Sequence, residues 1–208
     1  MDSFFKYVNN RGFTNNEMNK NNYILINIIL AADFAVGKTA FLLRLKNQKY
    51  KNYMEQDKRL MATMGIDMFI LYLNYKNINV KLIIWDTEWL NSPKFFFLST
   101  YFQKADIVFL FYDSSDKSTL ESIKKQKNFF DCYCKKNTIF ALIRNKYEKT
   151  KGVISDEEAI EFADRNNMLF FHLSLHEKNE TGIKELFENV LNEYFKRKRQ
   201  EEIYNILS

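Results

Sequence analysis

One segment of the chain carries residue types suited to holding a polyphosphate. Residues 32–39 read Ala-Asp-Phe-Ala-Val-Gly-Lys-Thr and follow an apolar run of strand length. They fit the pattern G-x-x-x-x-G-K-[ST], except that Ala32 stands at the first glycine position. In such a loop, backbone N–H groups surround phosphate oxygens, the lysine reaches the terminal phosphates and the hydroxyl binds Mg²⁺. Lys38 and Thr39 are therefore candidate ligands, and an ordinary strand-to-helix turn is the alternative.

The elements predicted around this loop alternate between strands and helices. Two strand-like runs form a hairpin around Lys76-Asn77, and Ser155 with Glu158 forms a capping box that marks a helix start. This alternation predicts a three-layer α/β fold, with a six-stranded, mostly parallel sheet and helices on both faces. The six strand-like runs are 23–30, 66–75, 79–85, 106–112, 138–143 and 168–173. The helical segments are 38–46 and those near 92–104, 116–135, 155–166 and 180–200.

Composition divides the chain into three parts. Residues 1–22 are polar and rich in Asn, which predicts a flexible N-terminal extension. Residues 23–197 form the predicted folded domain, and residues 198–208 form a predicted helical tail. The length of 208 residues suits one ordinary domain with tails.

Composition also excludes several classes of protein. The chain is 46% hydrophobic with 5 Gly and 1 Pro, which excludes wholesale disorder and collagen-like repeats. The net charge of +5 is spread among acidic residues, so a mixed solvated surface is favoured over nucleic-acid binding. Cys132 and Cys134 form neither a disulfide framework nor a zinc set, which suits a reducing cytosol. No run reaches the roughly 18 apolar residues of a membrane span.

Further motifs follow the phosphate loop in a fixed order. They are Thr63-Met64-Gly65-Ile66-Asp67, Lys81-Leu82-Ile83-Ile84-Trp85-Asp86-Thr87, Tyr101-Phe102-Gln103-Lys104-Ala105-Asp106, and Asn145-Lys146-Tyr147-Glu148. In this order and at these separations, the chain resembles a Ras-superfamily small GTPase, closest to the Rab branch, over about residues 23–195. The resemblance implies the P-loop NTPase fold, GTP or GDP with Mg²⁺ as ligands, and effector recruitment in intracellular vesicle trafficking or signalling.

The resemblance also assigns candidate site residues. The phosphates would be bound by Ala35, Val36, Gly37, Lys38 and Thr39. Mg²⁺ would be held by Thr39, Thr63 and Asp86, with Thr63 engaged only when the terminal phosphate is present. Guanine would be bound by Asn145, Lys146, Glu148, Ser174 and Leu175, where Glu148 replaces the aspartate usual in the family.

Two departures from the family pattern bear on catalysis and affinity. Asp86-Thr87 is followed by Glu88-Trp89-Leu90 where the family has A-G-Q. Leu90 has no group that can orient the attacking water, so no catalytic residue is assigned and GTP hydrolysis is predicted to be slow or absent. Ala32 and Ala35 replace glycines, and a positive φ would cost each about 1–2 kcal/mol.

Partner expectations follow from the same resemblance. Effector and regulator proteins are expected at the two switch regions, about 47–64 and 86–100, and a monomer is expected. No cysteine follows Cys134, so a prenyl anchor is not expected. The basic run 196–199 would attract anionic lipid only weakly. A cytoplasmic protein is predicted, with membrane contact made weakly or through a partner.

Two rival functions remain open at this point. One is a nucleotide-free pseudo-GTPase scaffold that mediates protein–protein interaction, which the altered second switch and Ala32 favour. The other is an ATPase or nucleotide kinase on a related fold. Asn145-Lys146 ahead of a carboxylate disfavours the second rival, because these groups suit guanine.

Overall fold

A computed structural model describes residues 5–6, 23–46, 67–87, 99–145, 153–173 and 181–207. The described residues form seven strands: β1 (Phe5–Lys6), β2 (Ile24–Ala32), β3 (Asp67–Tyr75), β4 (Ile78–Asp86), β5 (Ile107–Asp113), β6 (Ile139–Asn145) and β7 (Leu169–Leu173). Their helices are α1 (Lys38–Lys46), α2 (Ser99–Phe102), α3 (Lys117–Lys125), α4 (Lys127–Tyr133), α5 (Asp156–Arg165) and α6 (Thr181–Leu207).

The strands form one mixed sheet in the order β1-β3-β4-β2-β5-β6-β7. Strand β2 pairs in parallel with β4 on one side and β5 on the other, and β6 and β7 continue the parallel arrangement. The β3–β4 hairpin supplies the antiparallel pair. The predicted six-stranded, mostly parallel sheet is thus confirmed as the body of the fold.

The structure adds a short strand that the sequence did not predict. Phe5 and Lys6 lie opposite Leu73 and Tyr72 in an antiparallel pairing with the outer edge of β3. An edge strand exposes unpaired N–H and C=O groups that accept a further strand. Part of the segment predicted to be a flexible extension therefore joins the sheet, which has seven strands in the described residues. The rest of that extension before Tyr23 lies outside them.

Two hydrophobic clusters cover opposite faces of the sheet. On one face, Phe41 of α1 stacks on Phe187 of α6 with ring centroids 6.3 Å apart. On the other face, Phe102 of α2 packs against Phe130 of α4 at 5.6 Å. The first six residues of β5 are buried, as expected of a central strand covered on both sides. The three-layer α/β arrangement is confirmed.

Helix ends agree with the local sequence signals. Ser155 caps α5, and its side chain accepts a hydrogen bond from the backbone N–H of Glu158 at 3.2 Å, as the capping box predicts. Helix α6 has 27 residues, a length of about 40 Å. It runs without a break across the predicted domain boundary at residue 197. Within the described ranges, no helix combines the length and apolar character needed to cross a membrane.

Candidate nucleotide-binding site

The candidate site lies where the carboxyl ends of the parallel strands meet. Strand β2 has β4 and β5 as its two parallel neighbours, so the order of the strands in the sheet reverses at β2. In open α/β sheets, ligands bind at this point, outside the carboxyl ends of the strands. Leu30 is in register with Asp86, and Asp113 with Asn145. The motif residues at the ends of β4 and β6 therefore share one edge with the loop that follows β2.

The loop after β2 leads directly into α1. The N–H of Phe41 donates to the carbonyl of Gly37 at 2.9 Å, which closes the first helical turn. Gly37 has φ 109° and Ala35 has φ 59°, so both lie in the left-handed region. Ala32 is instead the last residue of β2, in register with Phe111 of β5. Of these two alanines, only Ala35 adopts a positive φ, so only Ala35 carries the cost of about 1–2 kcal/mol.

Lys38 is buried at the mouth of this loop. The residue is 8% exposed, and Nζ donates to the Ala32 carbonyl at 3.2 Å. Burial lowers the pKa of Lys38, against the opposing attraction of Asp86 and Asp33. A desolvated ammonium is stabilised by an anionic ligand, and a terminal phosphate suits this position.

Thr39 and Asp86 place two oxygen ligands beside Lys38. The hydroxyl of Thr39 donates to Oδ2 of Asp86 at 3.3 Å, and Asp86 is 2% exposed. Thr87 donates to the carbonyl of Leu30 at 2.8 Å and so fixes the end of β4. Hydroxyl and carboxylate oxygens are hard ligands of the kind that Mg²⁺ takes, so the pair fits this ion. Within the described ranges, no three His, Cys, Asp or Glu side chains gather to hold a metal. A magnesium ion here would thus also need phosphate or water oxygens.

Asn145 connects the end of β6 to the phosphate loop. Its Nδ2 donates to the carbonyl of Val36 at 2.7 Å. Its Oδ1 is buried and has no hydrogen-bond partner among the described residues. The structure thus brings Asn145 into contact with the phosphate loop at Val36, at the same edge of the sheet as Asp86. The other predicted site residues lie outside the described ranges: Thr63, Leu90, Lys146, Glu148, Ser174 and Leu175.

The sequence motifs did not predict that Asp33 helps to hold the phosphate loop. The hydroxyl of Ser122 on α3 donates to the Asp33 carboxylate, which ties the phosphate loop to a helix on the opposite face from α1. After Asp86, Asp33 also opposes the lowering of the Lys38 pKa that burial causes. The sequence does contain a signal for this role. An acidic residue inside a phosphate-binding loop needs a nearby hydrogen-bond donor, so Asp33 could have been expected to bond a neighbouring element.

A strand–loop–helix cradle with a buried lysine, a hydroxyl–carboxylate pair and an asparagine from a neighbouring strand defines the P-loop class of α/β proteins. The family model of the Ras family matches residues 27–196. The chain belongs to the Ras family, as a divergent, Rab-like small GTPase.

Its relatives include three proteins that the chain matches over most of their length. It is 28% identical over 168 residues to Ras-related protein Rab-18-B of Danio rerio, covering 80% of this chain and 77% of the relative. Identity is also 28% over 168 residues to Ras-related protein Rab-18 of Caenorhabditis briggsae and of Caenorhabditis elegans, covering 80% of this chain and 78% of each relative.

Proposed function

We propose that this protein binds GTP and GDP with Mg²⁺ and recruits effector proteins in intracellular vesicle trafficking or signalling. The observation that carries the proposal is the convergence of Lys38, Thr39, Asp86 and Asn145 at one sheet edge. A buried cation, a metal-binding oxygen pair and a base-facing amide are the three groups that a magnesium nucleotide needs.

Each of these groups has a distinct task in the proposed complex. Lys38 balances the charge of the terminal phosphates, and the backbone amides of 35–39 wrap them. Thr39 and Asp86 would hold Mg²⁺, which would neutralise phosphate charge. The buried Oδ1 of Asn145 has no hydrogen-bond partner among the described residues. As an acceptor it needs a donor, and in the proposed complex an N–H group of guanine would donate to it. Lys146 and Glu148 follow Asn145 in the sequence and would complete guanine recognition.

An apolar surface beside the switch regions supports effector binding. Trp85 and Tyr101 meet edge to face, with ring centroids 5.1 Å apart, and both remain partly exposed. Met68, 46% exposed, lies opposite Trp85 in the β3–β4 register. Aromatic residues and Met are enriched at protein interfaces. In the chain, residues 47–64 come shortly before Met68, and residues 86–100 lie between Trp85 and Tyr101, so this surface is formed by residues that flank both switch segments in sequence.

Hydrolysis of bound GTP is proposed to be slow or absent. Leu90 stands where the family has the glutamine that positions water, and a leucine side chain has no hydrogen-bonding group. The nucleotide state would then be set by loading and release. The alternative is a nucleotide-free pseudo-GTPase scaffold, and Ala35 favours it because the left-handed backbone at this alanine weakens the phosphate loop.

The proposed protein is a cytoplasmic monomer that reaches membranes weakly or through a partner. The basic run in α6 has acidic neighbours on its own helix: Arg197 bonds Glu193 at 2.8 Å, and Lys198 bonds Glu201 at 3.0 Å. Lys196 lies 3.6 Å from Glu193. These pairs reduce the charge available to anionic lipid, and no nucleic-acid partner is proposed.

The proposal is tested by identifying what the purified protein carries. The protein is denatured, and the released small molecules are separated by chromatography. GTP or GDP supports the proposal, ATP supports an ATPase or a nucleotide kinase, and an empty pocket that takes up no added nucleotide supports the scaffold. Lys38→Ala is the control variant, because it removes the buried cation and should release any bound nucleotide.

A further inference from the structure

A row of polar side chains crosses the sheet beneath α5. Tyr112 of β5, Arg144 of β6 and His172 of β7 are successive register partners, so they point to the same face. That face is otherwise packed with apolar residues such as Leu110 and Leu142. A polar row in this position needs partners from the helix above it.

Asp156, the first residue of α5, supplies a partner for two members of this row. Its Oδ1 accepts a hydrogen bond from Nη1 of Arg144, and its Oδ2 lies 3.6 Å from Nε2 of His172. The position of Asp156 is fixed by the Ser155 cap. A carboxylate in the first helical turn is also stabilised by the helix dipole. The Asp156 carboxylate, which pairs with Arg144, is therefore held in place by the start of helix α5.

In the Arg144–Asp156 ion pair, the arginine is the buried partner. The Arg144 side chain is 11% exposed, against 39% for Asp156. Nε of Arg144 and the hydroxyl of Tyr112 are both buried without a hydrogen-bond partner among the described residues. Burial raises the pKa of Tyr112 to about 12, so this hydroxyl stays neutral and offers no negative charge to Arg144. Asp156 is the carboxylate that balances the buried guanidinium.

This pair lies next to the residue proposed to recognise the base. Arg144 immediately precedes Asn145, whose amide bonds the phosphate loop at Val36. Asp156 ends the connection between β6 and α5, so the pair joins both ends of that connection. We propose that Arg144 and Asp156 form an ionic clamp that positions Asn145 and thereby sets the preference for guanine. The inference rests on the proposed function and deepens it, and it makes Arg144 and Asp156 positioning residues.

The test compares the binding of two nucleotides that differ only in the base. Affinities for GDP and ADP are measured by competition against a fluorescent GDP, with Mg²⁺ present, for the full chain and for Arg144→Gln. If the clamp positions Asn145, the variant loses about tenfold more affinity for GDP than for ADP, which is 1.4 kcal/mol of selectivity. A role limited to general stability would lower both affinities alike and would overturn the inference.

Arg165→Gln provides a control with the same change of residue type, on helix α5, which also carries Asp156. Arg165 bonds Glu161 one turn away, and both side chains are largely exposed, so this change should leave the GDP-to-ADP ratio within twofold of the parent. A loss of selectivity in this control equal to that in Arg144→Gln would overturn the inference, because it would show a general effect of charge. Asp156→Asn repeats the test from the more exposed end of the pair if Arg144→Gln does not fold.

A double-mutant cycle with Asn145→Ala separates the clamp from an independent effect of Arg144. If Arg144 acts through Asn145, its substitution has no further effect on selectivity once Asn145 is alanine. If the two substitutions instead lower the GDP-to-ADP selectivity additively, the clamp is wrong, although the proposed binding of GDP still stands. Absence of GDP binding in the parent protein would overturn the proposed function and the clamp together, so the two failures are distinguishable.

Discussion

Nδ2 of Asn145 donates a hydrogen bond to the carbonyl of Val36 at 2.7 Å, across 109 residues of sequence. The contact joins the end of β6, where a base would be recognised, to the loop where phosphates would bind. One asparagine thus touches both halves of the proposed nucleotide site. Its substitution should have effects that reach beyond recognition of the base.

We predict that Asn145→Ala lowers the affinity for ADP as well as for GDP. Loss of the bond to Val36 releases the phosphate loop and should weaken any nucleotide by about tenfold, the value of one hydrogen bond of roughly 1–1.5 kcal/mol. GDP should lose more, because its base also loses a partner. Isothermal titration calorimetry measures both. An unchanged ADP affinity would show that the tether to Val36 does not support phosphate binding.

Substitution by glycine at the two alanines of the phosphate loop should change the free energy of unfolding in opposite directions. Ala35 has φ 59°, so Ala35→Gly relieves the left-handed strain and should raise the free energy of unfolding by about 1 kcal/mol. Ala32 is fully buried in β2, so Ala32→Gly should lower it by about 1 kcal/mol through added chain entropy and a lost methyl contact. Urea unfolding of the two variants gives the comparison, and stabilisation by Ala32→Gly would contradict it.

This contrast shows what the sequence could and could not reveal about the site. The motif marks both alanines as glycine positions, yet the φ of each depends on where β2 stops pairing with β5. Ala32 still lies in the ladder opposite Phe111, so only Ala35 enters the left-handed region. The close approach of Lys38, Thr39 and Asp86 was expected from the family resemblance, which assigns all three to one site.

The remaining differences arise from contacts that no local pattern encodes. The central strands were predictable because apolar runs such as that of β5 are long and continuous. The pairing of Phe5–Lys6 with β3 involves two residues, which is too short for any periodicity. The Arg144–Asp156 pair depends on how the chain returns from β6 to α5. Sequence spacing alone does not bring those two side chains together.

Lys38 should destabilise the protein when no phosphate is bound. Its burial lowers its pKa, which means that the folded state disfavours the charged form. Lys38→Met keeps the side-chain volume and removes the charge, and it should raise the Tm of the nucleotide-free protein by about 2–4 °C. Added GDP and Mg²⁺ should stabilise the parent and leave the variant unchanged. Differential scanning fluorimetry measures all four conditions.

The lowered pKa of Lys38 also makes this difference in stability depend on pH. At neutral pH the unfolded chain holds the Lys38 proton more firmly than the folded one, because the folded pKa is lowered from 10.5. The gain in Tm from Lys38→Met should therefore shrink as the pH rises from the lowered pKa toward 10.5. Lys198→Met is the control, since Lys198 is half exposed and bonds Glu201. An equal gain from that change would rule out burial as the cause.

The missing water-positioning group predicts a defect in hydrolysis that is separable from binding. In single-turnover assays with Mg²⁺ and GTP, the parent chain should hydrolyse bound GTP at or near the rate of the uncatalysed reaction. Leu90→Gln restores a side chain able to orient water and should raise the rate by at least tenfold. Leu90→Met, which matches the size of Gln without its amide, should leave the rate unchanged. If Leu90→Met accelerates hydrolysis as much as Leu90→Gln does, the gain comes from altered packing and the assignment of Leu90 as the defect is wrong.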